Sequence, residues 1–106
     1  MNTEQRHAIE ANVITVLRTI FDPEIPVDIY ELGLIYEIAI SDDADVKIVM
    51  TLTSPNCPVA ESLPAEVKEK VGLVKNIRSA DVELTFEPPW DQSMLSEEAK
   101  LELGFL

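Results

Sequence analysis

Two apolar alternations separated by a short acidic turn constrain this chain more than any other feature. Leu34, Tyr36, Ile38 and Ile40 recur at every second position, and so do Val46, Ile48, Met50 and Leu52. A period of two places each set on one face of a strand. The residues between them, Ser41-Asp42-Asp43-Ala44-Asp45, are turn formers, so the strands Leu34–Ile40 and Val46–Thr53 are expected to pair as an antiparallel hairpin.

On either side the period changes. Ile9, Val13, Val16, Leu17 and Ile20 form one stripe of a helix from about Thr3 to Phe21, which Asp22-Pro23 stops because the residue before a proline is pushed out of helical geometry. The segment from Asp22 to Val27 is too rich in proline for regular structure. Asp28 and Glu31 then read as a capping pair for a single turn that ends at Gly33. After Ser54-Pro55-Asn56-Cys57-Pro58, the spacing of Val59, Leu63, Val67 and Val71 predicts a second helix as far as Gly72, with Pro64 either kinking it or starting it afresh. Val82, Leu84 and Phe86 predict a third strand ending at Pro88-Pro89-Trp90, and Ser96 to Leu103 a last short helix capped by Gly104.

The expected fold is therefore α+β, ordered α-β-β-α-β-α: a two-layer sandwich with helices on one face of a small three-stranded mixed sheet. A chain of 106 residues is one domain, here taken as residues 1–106, with one modest core. The helix after the second strand carries the chain back, so the third strand should run parallel to the second through a right-handed crossover. The loop after the first helix, the Cys57 turn and the Pro88-Pro89-Trp90 segment then converge on one rim of the sheet, where loops on a rigid scaffold can build a site.

Composition narrows the chemistry. Eight Lys and Arg against 20 Asp and Glu leave a net charge of -12, which repels the phosphate backbone and excludes ordinary nucleic-acid binding. The longest apolar run is as short as Leu34-Ile35-Tyr36, so neither a spanning helix nor a signal-peptide core is expected. A lone thiol, Cys57, suits a reducing compartment, so the expected location is the cytoplasm. With one Cys and one His (His7, on the outer side of the first helix), a single chain cannot assemble a usual zinc site, and any metal must be shared.

Cys57 precedes Pro58, which prefers the first helical position, so its sulfur is expected at or beside a helix N-terminus, where free amides favour the thiolate. Nearby Asp22, Glu24 and Asp28 oppose that ionisation, and the pKa is expected to be lowered but not extremely so. Free cysteines are often small buried hydrophobes; the tight turn made by Asn56 and two prolines favours presentation of the side chain instead. Asp22, Glu24 and Asp28 are either hard ligands or a general base, or else solvated surface acids, and Asp28 already has a capping role. Thr51 and Thr53, on the face opposite Met50 and Leu52, either contact what Cys57 holds or are ordinary strand residues. Trp90 is either a partner-docking aromatic or a lid on the core. No Ser/His/Asp set, glycine-rich phosphate loop or nearby histidine base supports self-sufficient catalysis, so a non-enzymatic role is expected.

The segments Asp22-Pro23-Glu24, Asp28 to Tyr36, Thr51-Leu52-Thr53-Ser54-Pro55-Asn56-Cys57-Pro58, Pro88-Pro89-Trp90 and Met94 to Gly104 together resemble the metal-sulfur (iron-sulfur) cluster assembly factor family, of SufT and PaaD type. The resemblance runs through almost the whole chain in order. It implies a role in the maturation of iron-sulfur proteins, with a site at Cys57 beside the acidic turn of Asp22 and Glu24. Asn56 stands where relatives often have glycine, a tolerable change because asparagine also accepts a left-handed backbone. PaaD-type members carry a further cysteine-rich tail with no counterpart before Leu106, so a stand-alone assembly factor is expected over an accessory of a phenylacetate-type oxygenase.

The leading expectation is a carrier or targeting factor. Cys57 would hold a labile iron-sulfur cluster or iron, since soft thiolates suit iron and sulfide. A homodimer would supply a second thiolate, and the partners would be the assembly machinery and its apo-clients. A metal-free adaptor using Trp90 and the acidic face is the alternative from another class. A redox role for Cys57 lacks a resolving cysteine.

Overall fold

The computed structural model describes residues 2–21, 25–53 and 62–104. Helix α1 spans Thr3–Leu17, strands β1 and β2 span Ile35–Ile40 and Asp45–Met50, helix α2 spans Ser62–Val71, strand β3 spans Ser79–Leu84, and α3 spans Glu97–Glu102 after a 3-10 turn at Gln92–Met94. β1 and β2 pair antiparallel, β2 and β3 parallel, in the order β1-β2-β3. The α+β sandwich with a mixed sheet is thus the fold the chain adopts.

One face of the sheet carries the core. Val46, Ile48 and Met50 of β2 are buried with Leu52 beyond it, against Ile9, Val13 and Leu17 of α1 and Leu63, Val67 and Val71 of α2. Each such aliphatic side chain removed from water contributes about 1.5–3 kcal/mol, so this one layer holds most of the folding free energy. The opposite face stays open, with Glu37, Lys47 and Glu83 exposed along it.

α1 begins where Asn2 and Gln5 form a reciprocal capping box, and it ends at Leu17, short of the expected Phe21. Tertiary pairing takes the last residues out of the helix. Ile29 N donates to Ile20 O at 2.8 Å, and Phe21 bridges to Asp28, so the two ends of the proline-rich loop are tied together at its neck. The capping pair forms as expected: Glu31 N donates to Asp28 Oδ2 at 3.0 Å, and Gly33 closes the turn at φ 78°.

The alternation in β1 needs a correction. Ile35 opposes Met50 but Glu37 opposes Val49, so Tyr36 is the extra residue of a β-bulge and does not share a face with Ile38 and Ile40. Ile35 packs against the core instead. β3 starts earlier than expected, at Ser79, and ends at Leu84; Phe86 lies beyond it, exposed. In α2, Pro64 falls within the first turn of the described helix.

Candidate functional site

The ladder does not stop at the last residue of β2. Thr51 N donates to Leu34 O on one side, and Thr85 N donates to Met50 O on the other, both at 2.8 Å. The carboxyl ends of β2 and β3 and the start of β1 therefore meet at one rim, as expected from the topology.

The chain leaving β3 turns back across this rim. Tyr36 Oη donates to Pro88 O at 2.7 Å, and Trp90 Nε1 donates to Leu32 O at 2.7 Å. Ser96 N then donates to Glu31 O at 2.9 Å. The path from β3 to the 28–33 turn has to pass the end of the central strand, so residues 85–96 form a strap over it. At Gly33 the approach is so close that an added Cβ would lie 2.2 Å from Met94 O. Leu95 and Ala99 are buried behind the strap and hold it to the core. Within it, hydrogen bonds from the Ser93 hydroxyl and Ser93 N keep the Asp91 carboxyl below the usual carboxylate range.

Thr51 is 0% exposed, and Thr53 half-buried. With Met50 and Leu52 also buried, both faces of the chain are covered at this end, so Thr51 is part of the packing under the rim. Its hydroxyl lies 3.5 Å from Leu52 O, at the limit of a hydrogen bond. Trp90 is half-buried, its ring against the core and its N–H bound to Leu32. Its polar edge is thereby used inside the fold, and only part of its ring is left for any partner. His7 is exposed on α1. Asp22, Glu24, Asn56 and Cys57 lie outside the described residues. Among the described residues no group of three or more His, Cys, Asp and Glu is placed to hold a metal ion, and no helix is long and apolar enough to cross a membrane.

Sequence reasoning missed the bonds from Tyr36 to Pro88 and from Ser96 to Glu31. Gly33 and the dyad Pro88-Pro89 are local traces of them, since glycine admits the left-handed backbone seen at φ 78° and prolines end a strand.

Known proteins resemble this chain along most of its length. A protein of Porphyromonas gingivalis named Fe-S protein maturation auxiliary factor is 50% identical over 97 residues, covering 92% of each chain. The Bacillus subtilis Fe-S protein maturation auxiliary factor YitW is 36% identical over 97 residues, covering 92% of this chain and 95% of its own. A crystal structure from Bacillus anthracis, described as a domain of unknown function, superposes with a TM-score of 0.89 at 32% identity, covering 99% of this chain and 100% of that one. A family model described as iron-sulfur cluster assembly protein matches residues 10–86, a stretch that contains the hairpin, position 57 and the parallel third strand. On these grounds the chain belongs to the iron-sulfur cluster assembly protein family.

Proposed function

We propose that this protein is an accessory factor in the maturation of iron-sulfur proteins, a non-catalytic carrier or targeting factor that acts in the cytoplasm. The observation that carries the reading is the braced rim, where β1, β2 and the strap are tied together by Leu34–Thr51, Tyr36–Pro88 and Trp90–Leu32 hydrogen bonds. The relatives named as Fe-S protein maturation auxiliary factors supply the chemistry that such a rim would serve.

In this reading Cys57, only four positions after Thr53, is the ligand to the cargo, iron or a labile iron-sulfur cluster. A thiolate is the donor such cargo prefers. Asn56 shapes the turn, Thr53 lines its approach, and Asp22 and Glu24 stand by as hard oxygen donors on the loop whose neck is Phe21 and Asp28. One thiolate per chain leaves cluster positions open. A second copy of the chain, forming a homodimer, or an apo-client fills them, and incomplete ligation is what makes cargo easy to hand on. The partners are then the assembly machinery and the client.

Anaerobic reconstitution with iron and sulfide tests this. Wild type should take up cargo, alone or with an apo-client, and Cys57→Ala should not. Equal uptake by the two, or none by either, would leave Cys57 without the role proposed; client maturation surviving in Cys57→Ala would establish a metal-free adaptor instead.

A further inference from the structure

We propose that the groove between the loop neck at Phe21–Asp28 and helix α3 docks a segment of a partner protein that carries both apolar and basic side chains. Phe21 is 53% exposed, a large aromatic left in water beside the pinned bridge to Asp28. With Pro26 and Val27 it forms the apolar wall of a groove whose other side is acidic, lined by Glu31, Glu98 and Glu102. Glu98 and Glu102 are one helical turn apart on α3, so they project on the same side. The adjacent cation, Arg18, reaches Glu31 at 3.0 Å and Glu98 only at 4.0 Å, which leaves the groove with surplus negative charge.

This pairing of surfaces selects the occupant. A wholly apolar segment would strip water from the carboxylates without replacing it, and such unpaired charge is costly. A wholly basic one would leave Phe21 uncovered. A segment with an aliphatic or aromatic side chain flanked by Lys or Arg satisfies both, the apolar group against Phe21 and the cations against the carboxylate wall. A second copy presenting this same face would set carboxylates against carboxylates, so this groove is not where two copies would meet face to face. That the segment belongs to an apo-client rests on the function proposed above; the groove itself rests on its own geometry.

The test is a titration of the nitrogen-15-labelled full chain with a short synthetic peptide of alternating leucine and arginine, followed by amide chemical shifts. Shifts should concentrate at Phe21, Val27 and Glu98 to Glu102. Phe21→Ser should weaken binding about tenfold, as loss of a central apolar contact does, and so should Glu98→Lys combined with Glu102→Lys. Phe21 is exposed, so its replacement should leave the melting temperature unchanged. Shifts centred on Glu37 and Glu83 of the open sheet face, unaltered affinity in Phe21→Ser, or equal binding of a peptide with serine for leucine would reduce the effect to general attraction by an acidic surface and overturn the proposal. Cys57→Ala should dock the peptide like wild type. Docking as expected with failed cargo uptake sinks the cluster reading alone, and the reverse sinks the groove alone.

Discussion

The two ends of the sheet are closed by opposite means. At the rim, the contacts are neutral, bound to backbone and largely covered: Thr51 to Leu34, Trp90 to Leu32, and Gly33 against Met94. At the hairpin end they are charged and wet. Arg78 grips the Asp45 carboxylate, Ser79 Oγ donates to the same group at 2.6 Å, and Arg6 Nη2 donates to Asp42 Oδ1 at 2.6 Å while its other nitrogen meets Ile40 O. Exposed ion pairs contribute little and fade in salt, whereas a buried backbone contact cannot be exchanged for water. The rim is therefore the stiff end and the hairpin the tolerant one, which is the arrangement a site on the rim requires.

Substitutions at the two ends should separate cleanly. The largest effect is expected from Gly33→Ala, which places a Cβ in the path of Met94 O on a backbone at φ 78°. Clash and left-handed strain together should cost about 3 kcal/mol or more. Thermal melting should then fall by more than about 10 °C; a loss of only a degree or two would mean that the strap does not press on Gly33.

Trp90→Phe keeps a ring but removes the donor to Leu32 O. Leaving that carbonyl short of a partner should cost about 1–2 kcal/mol in urea unfolding, without a change in slope. Equal stability in the two proteins would deny the bond any part in bracing the rim.

At the hairpin the expected sign is reversed. Ala44 sits at φ 66°, in the region that glycine occupies without strain. Ala44→Gly should stabilise by about 0.5 kcal/mol, the relief of strain exceeding the extra freedom glycine has when unfolded. A loss in chemical denaturation would show that Ala44 adopts another geometry in solution.

The smallest effect concerns pH. Hydrogen bonds from Arg78 and then Ser79 hold the Asp45 carboxyl below the usual carboxylate range. A carboxylate depressed in the folded state contributes stability that is present above its unfolded pKa and is lost as pH falls through the folded one. Asp45→Asn should therefore cost a little stability at neutral pH, flatten the acid side of the stability profile, and bring the variant level with wild type as pH falls below about 4. Identical acid limbs for variant and wild type would show that Asp45 makes no such contribution.

What could be read from the sequence follows the same division between local and distant causes. The face of β2 was legible because Val46, Ile48, Met50 and Leu52 obey a period set within the strand, and all are buried. The turn at Asp28 was legible because its capping partner is three residues away. The displacement of Tyr36 was not, since a bulge depends on the register with β2. Likewise α1 stops at Leu17 because Ile20 and Phe21 pair with Ile29 and Asp28, residues outside the helix. The meeting of the strand ends with the 28–33 turn and the Pro88-Pro89-Trp90 segment followed from the order of elements alone, but the burial of Thr51 depends on chain that returns from far along the sequence. Cys57, Asn56, Asp22 and Glu24 stand outside the described residues, and only their sequence context and their family single them out.

The bond from Tyr36 to Pro88 joins positions 52 apart, and that from Trp90 to Leu32 joins positions 58 apart. During synthesis Leu32 and Tyr36 emerge well before the tryptophan and the proline that pair with them. Contacts so far apart in sequence form late. A growing chain would thus hold the carboxyl end of its central strand uncovered until residues 85–96 have emerged to strap it.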